Sequence, residues 1–232
     1  MAGVGVSTAA PLAPADLTTT DQESLGRRAA FGSDLSVLSK IYQPDVNLSV
    51  WNREIDAELK GEAEALIASD PNFQKSLGMR ADEAPAALQS FFPKQQYDAL
   101  RADMAWLIDV FSYLFDLRDV GLRLAVLDSA MCPKFHVDKV PCRLITTYTG
   151  ATTEWLPHDR VNRRFLGANV PSIVGSEPGI CESDDIEILE TGAVALLKGE
   201  SWEGNEGCGL VHRSPNIAEG SKRLLLTIDF GG

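Results

Sequence analysis

The sequence predicts an α+β protein in which a double-stranded β-helix is backed by N-terminal helices. Three observations carry that expectation. Amphipathic helical periodicity is confined to the first half of the 232-residue chain, short strand-like runs punctuated by Gly and Pro fill the second half, and the last run alternates between two faces. In that run Leu224, Leu226, Ile228 and Phe230 share one face, and Arg223, Leu225, Thr227 and Asp229 share the other. A fully apolar face needs cover, which two amphipathic helices can supply. The face bearing Arg223 and Thr227 is then left to look inside the roll.

Residues 1–20 are rich in Ala, Thr, Pro and Gly and lack the basic start and continuous apolar stretch of a secretion signal. They read as the core of a loosely ordered arm over 1–32, followed by one jelly-roll domain with its helical layer over 33–232. Val46, Leu48 and Val50 alternate with Asn47 and Ser49, the pattern of a half-buried strand ending at Trp51. From Arg53 to Ser69 the spacing turns helical, with Ile55, Leu59, Leu66 and Ile67 apolar and Asp70-Pro71 as the stop. A second helix is expected over Lys94–Leu117, where Tyr97, Leu100, Met104, Leu107, Ile108, Phe111 and Leu114 form a wide apolar stripe.

Beyond Gly121 the expected elements are strands: Leu122–Leu127, a segment carrying His136 and Asp138, Arg143–Tyr148, Ile186–Leu189, Ala193–Leu197, Gly209–His212 and Arg223–Phe230. Together they suit a cupin-like jelly roll. Gly150 to Asp184, with Pro157, Pro171 and Pro178, is the main irregular stretch and a candidate lid, because loops this long in compact domains are usually functional or disordered.

A formal charge of −12 and a pI near 4.7 oppose attraction to phosphate backbones and anionic lipid, so neither nucleic acid nor membrane is an expected partner. No run approaches the roughly 18 apolar residues of a membrane span. The expectation is a cytoplasmic protein whose cysteines, Cys132, Cys142, Cys181 and Cys208, are reduced thiols. Oligomeric state is not set by the sequence.

The chemistry-bearing pattern is His136-Val137-Asp138, then His212, then Arg223 eleven residues later. On a strand His136 and Asp138 point to one side, and His212 must arrive from a neighbouring strand. Two imidazoles and one carboxylate form the facial triad that leaves coordination positions open on non-heme Fe(II). The Arg223 fork suits a ligand carboxylate or an internal acid such as Asp229. Tyr148 and Thr227 are candidate hydroxyl donors to the same carboxylate, or plain core. Ser214 either orients His212 or serves the turn before Pro215.

His158 reads as a loop histidine rather than a ligand. Trp155 and Arg160, the latter in a basic cluster with Arg163 and Arg164, are candidate substrate contacts; burial for the tryptophan and surface ion pairs for the arginines are the plainer readings. A rival site, Cys132-x-x-x-His136 with Cys208-x-x-x-His212, holds a zinc ligand set but demands tight turns, since each Cys otherwise lies roughly 13 Å from its His along an extended chain. Small apolar filling is the ordinary role for such cysteines.

The segments Cys132-Pro133-Lys134-Phe135-His136-Val137-Asp138, Val140-Pro141-Cys142-Arg143-Leu144, Thr147-Tyr148-Thr149-Gly150, and His212-Arg213-Ser214-Pro215 through Arg223-Leu224-Leu225-Leu226-Thr227 resemble the bacterial domain-of-unknown-function family 1826. That resemblance implies a shared architecture without naming a reaction, and it keeps a role in zinc homeostasis open. A more distant resemblance, carried by the triad, Arg223 and strand order, is to the Fe(II)/2-oxoglutarate-dependent dioxygenases. It implies that His136, Asp138 and His212 hold Fe(II) and that Arg223 binds 2-oxoglutarate, with a small molecule or peptide as substrate. The alternatives are a zinc-binding accessory protein, and a cupin-type metalloenzyme that uses no oxygen.

Overall fold

The computed structural model describes residues 26–92, 95–166 and 179–231. In chain order it forms β1 (Arg28–Gly32), β2 (Val46–Trp51), α1 (Ala57–Ser69), β3 (Gln74–Arg80), α2 (Ala84–Phe91), α3 (Asp98–Phe115), β4 (Asp119–Leu127), β5 (Cys142–Thr149), β6 (Glu154–Leu156), β7 (Glu187–Ile188), β8 (Val194–Lys198), β9 (Val211–Arg213) and β10 (Arg223–Phe230).

Seven strands make a large sheet in the order β1-β2-β8-β5-β10-β4-β3, antiparallel except for the β1/β2 pair. A small sheet runs β7-β6-β9, and an isolated bridge between His136 and His212 adds one more rung beside β9. From β4 onward the chain alternates between the two sheets: β4 in the large, His136 in the small, β5 in the large, β6 and β7 in the small, then β8, β9 and β10 in turn. That alternation winds a double-stranded β-helix, the jelly roll expected from the sequence.

The alternation in β10 sorts the two cores. Leu224, Leu226 and Ile228 are buried with Leu100, Met104, Leu107, Ile108 and Phe111 of α3, in the core between the large sheet and the helices. Leu225, one residue out of phase, packs with Ala125, Leu127, Ile145, Ala195, Leu197 and Trp155 between the sheets. Burying each such large aliphatic side chain favours folding by about 1.5–3 kcal/mol, enough to lock the strand's register.

The helices begin and end for local reasons. Asp56 caps α1 by accepting the Leu59 N–H at 2.7 Å, so the helix expected from Arg53 starts only at Ala57. The helix expected over Lys94–Leu117 is α3; Asp116 stops it in a left-handed conformation (φ 52°), and Lys94 lies outside the described residues. No helix among the described residues is long and apolar enough to cross a membrane.

Several elements differ from the sequence expectation. Arg28–Gly32, placed in the arm over 1–32, is the edge strand β1, while residues 1–25 lie outside the described residues. The strands β3 and β6 and the helix α2 were not anticipated; β3 is largely exposed and so carries no apolar alternation to read. The His-x-Asp segment is not a strand, since a single bridge at His136 is its only ladder contact. Of the candidate lid, residues 167–178 lie outside the described residues.

Candidate metal centre

His136 and His212 meet as a directly opposed antiparallel pair. Each donates its backbone N–H to the other's carbonyl at 3.0 Å, and residues so paired project their side chains from the same face. The two rings stand 4.5 Å apart, centroid to centroid. Asp138 comes round from the same segment and is anchored by the Glu200 N–H, which donates to its carbonyl at 2.9 Å.

The hydrogen bonds fix which ring nitrogens face inward. His136 Nδ1 lies 2.9 Å from the Lys134 carbonyl and His212 Nδ1 lies 3.2 Å from the Leu210 carbonyl. A carbonyl can only accept, so each Nδ1 carries the proton and each Nε2 presents a lone pair. Those Nε2 atoms point at Asp138, at 3.7 Å from Oδ1 for His136 and 3.6 Å from Oδ2 for His212, too far for hydrogen bonds.

Burial pushes the His212 pKa down to about 4; Asp138 raises it and His136 lowers it. The ring is therefore neutral near pH 7. Imidazole nitrogens and carboxylate oxygens thus converge on one point, an arrangement of donors that suits a cation. The donor atoms of these three residues all lie within 4.8 Å of one another, the only group among the described residues so placed to hold a metal. Two imidazoles and a carboxylate fit a divalent transition ion with positions to spare.

Arg143 is the participant that sequence reasoning missed. Its Nη1 donates to Asp138 Oδ2 at 2.8 Å, while Nε and Nη2 grip Asp229 at 2.7 and 3.0 Å. Burial works against this charge, but Asp229 and Asp138 outweigh it and raise the pKa. The fork fixes the orientation of the Asp138 carboxylate. Asp229 is thereby occupied, so it is not the internal acid for Arg223.

Arg223 is 1 % exposed. Its Nη2 reaches Ser214 Oγ at 3.3 Å and its Nη1 the Ala151 carbonyl at 3.5 Å, while Nε has no partner. Among the described residues no carboxylate lies within ion-pair distance, and burial, opposed only by Cys132, lowers its pKa to about 10. Gly150 (φ 90°) brings the chain against it: a Cβ there would collide with the Lys222 carbonyl and the Arg223 backbone. A narrow cavity of about 50 Å³ joins Arg223 to His136 and His212, walled by Ile145, Leu225 and Thr227.

No curated protein matches this sequence. The family described as "Protein of unknown function (DUF1826)" matches residues 32–229. The chain belongs to that family. Among solved structures, this DUF1826 member resembles the dioxygenase for auxin oxidation of rice (TM-score 0.49, 12% identity, covering 89% of this chain and 83% of that one). It also resembles a prolyl-4-hydroxylase of Pseudomonas putida (0.44, 12%, 84% and 97%). A third likeness is to a putative 2OG-Fe(II) oxygenase family protein of Caulobacter crescentus (0.44, 13%, 88% and 86%).

Other sequence candidates in the DUF1826 chain fall elsewhere. Tyr148 does not face the cavity: it shares strand parity with Leu144, lies in the helix-side core and donates its hydroxyl to Asp103 at 2.7 Å. Trp155 pairs across strands with His212 but is 6 % exposed and packed in the inter-sheet core, outside the lining of the narrow cavity beside the triad. The Arg160 side chain is 60 % exposed and pairs with Asp185 and Asp159, the surface ion pairs that the plainer reading of this arginine describes. His158 stands apart beside Arg163, whose Nη2 lies 3.2 Å from its Nδ1. All four cysteines are free, and neither Cys132 nor Cys208 belongs to the metal-competent group, so the closed thiolate site is not formed.

Proposed function

We propose that this protein is an Fe(II)- and 2-oxoglutarate-dependent oxygenase, most simply a hydroxylase of an organic substrate. The observation that carries the reading is Arg223, a buried guanidinium with an unpartnered Nε, set across a narrow cavity from His136 and His212, whose donor atoms cluster with the Asp138 carboxylate. An isolated buried cation costs several kcal/mol unless an anion meets it. A dicarboxylate that is also an oxoacid satisfies both ends of the cavity: its tail neutralises Arg223 and its oxoacid end completes an ion held by His136, Asp138 and His212. Iron bound there would supply the redox chemistry, in which O₂ and 2-oxoglutarate are consumed, succinate and CO₂ released, and one oxygen atom inserted into a substrate C–H bond.

The chain's own part is positioning. The carbonyls of Lys134 and Leu210 hold both imidazoles in the ligating tautomer. Arg143 orients the Asp138 carboxylate, the Ser214 hydroxyl braces Arg223, and Ile145 and Leu225 keep the cavity wall apolar. A low-dielectric wall strengthens the attraction between Arg223 and a bound carboxylate.

The test is an anaerobic titration of the metal-free protein with Fe(II) and then 2-oxoglutarate, followed by the visible iron-to-oxoacid charge-transfer band. The expected result is a band in the wild type and none in His212→Ala. Tight zinc binding with no response to 2-oxoglutarate would overturn the reading and return the protein to a zinc-binding role.

A further inference from the structure

We infer that the substrate lies in the groove formed by the site-side face of β10, β4 and β3, and that it is a small organic anion whose carboxylate or phosphate pairs with Arg123. The substrate role rests on the oxygenase reading; the anion site rests on the groove itself.

The groove adjoins the metal cavity. Ser76, Arg123 and Thr227 stand opposite one another across β3, β4 and β10, and the next row out is Gly78, Gly121, Asp229 and Arg143. Together they line a cavity of about 420 Å³, and Met131, Arg143 and Thr227 line both it and the narrow cavity beside the triad. A ligand seated in the groove therefore reaches toward the ion across the Met131 side chain. The size falls within the range of about 300–1,000 Å³ usual for small-molecule sites, and favours a small molecule over a macromolecular segment.

The charge pattern selects an anion. Acids outnumber bases 33 to 21 in this chain, and arginines such as Arg28, Arg53, Arg80, Arg143 and Arg213 each face an acid. Arg123 is half-buried in the groove wall and has no acid or carbonyl partner among the described residues. The one acid beside it in the groove, Asp229, is spent on Arg143. A guanidinium held in a concave wall without a counterion is a ready fork for a carboxylate or phosphate.

The floor is cleared for close approach. Gly78 and Gly121 are directly paired, neither has a positive φ, and a Cβ on either would meet nothing within 4 Å. Backbone geometry therefore does not require glycine at these positions, although glycine weakens a strand relative to alanine. Paired strand glycines with open space above them mark a place where a ligand lies directly on the backbone.

The test measures binding of benzoate and phenyl phosphate at constant ionic strength by calorimetry and ligand-observed NMR, in parallel with 2-oxoglutarate. Wild type, Arg123→Gln, Gly121→Val and Arg223→Met are compared. Arg123→Gln and Gly121→Val are expected to weaken at least one probe tenfold or more while leaving 2-oxoglutarate within twofold, and Arg223→Met to do the reverse. Whichever probe binds more tightly identifies the anchor. Retained 2-oxoglutarate binding shows that a variant is folded; if Gly121→Val loses it, Arg123→Gln alone decides. Equal probe binding by wild type and Arg123→Gln, or no probe binding by wild type at millimolar concentration, overturns the proposal. If 2-oxoglutarate fails to bind wild type while the Arg123 effect persists, the oxygenase reading falls and the anion site stands.

Discussion

The two faces of the large sheet each bury an arginine, and they treat it in opposite ways. On the helix side Arg53 forms an ion pair with Asp103, which also accepts the Tyr148 hydroxyl, and a third bond runs to the Gly192 carbonyl. Burial lowers the Arg53 pKa, yet Asp103 more than restores it and the net shift is upward. On the site side Arg223 has only a hydroxyl and a carbonyl at the limit of hydrogen bonding, and its pKa drops. Where packing alone sets the environment, buried polar groups are satisfied. The unsatisfied face is the one that expects a ligand.

That contrast can be broken most forcefully at Arg53. Arg53→Met strands the Asp103 carboxylate against the helices and is expected to lower stability by about 3–5 kcal/mol, read by denaturant unfolding. Arg223→Met removes a cation that has no acid partner among the described residues, so unfolding should be unchanged or shifted to higher denaturant. The same variant should weaken 2-oxoglutarate binding by about 100-fold, close to 3 kcal/mol. Equal destabilisation by the two variants would erase the distinction between the faces. Arg143→Leu sharpens it from within the site: Fe(II) affinity is expected to fall about 10- to 100-fold, measured by competition with a chromophoric chelator.

The smallest effect is a pH dependence at Lys198, a helix-side residue that tests the rule at its margin. It is 2 % exposed, lies over the Trp202 ring and donates to the Gln43 carbonyl, and burial lowers its pKa to about 8 from 10.5. Because the folded pKa is the lower one, the unfolded chain holds more protons between pH 8 and 10.5. The cost of burying the charge is thus full below the folded value and relieved as pH rises through that window. Wild type should gain stability relative to Lys198→Met across it, and a flat difference would show that Trp202 and Gln43 already compensate the charge.

Much of this arrangement was legible from residue order. The alternation in β10 placed Leu224, Leu226 and Ile228 against helices and Leu225 in the other core, because a two-residue period leaves no other option once one face is wholly apolar. The spacing of His136, Asp138, His212 and Arg223 named residues that the fold brings to one cavity or its rim. What escaped depends on pairing between strands. Arg143 opposes Asp229 only through the β5/β10 register, which no local pattern encodes. Tyr148 was misplaced because parity within β5 says that it sides with Leu144, but not which side meets the helices. Strand β3, exposed along most of its length, offers too little buried surface to leave a periodic signature, yet it forms the outer wall of the groove.

The mutual backbone bonds of His136 and His212 set the gap between two donor nitrogens before any ion arrives. A pair preset in this way has little rearrangement left to discriminate among iron, manganese, cobalt and zinc, all of which accept two imidazoles and a carboxylate. Selection then passes from the protein to its surroundings. The metal found in a purified sample is therefore expected to record the growth medium and the handling.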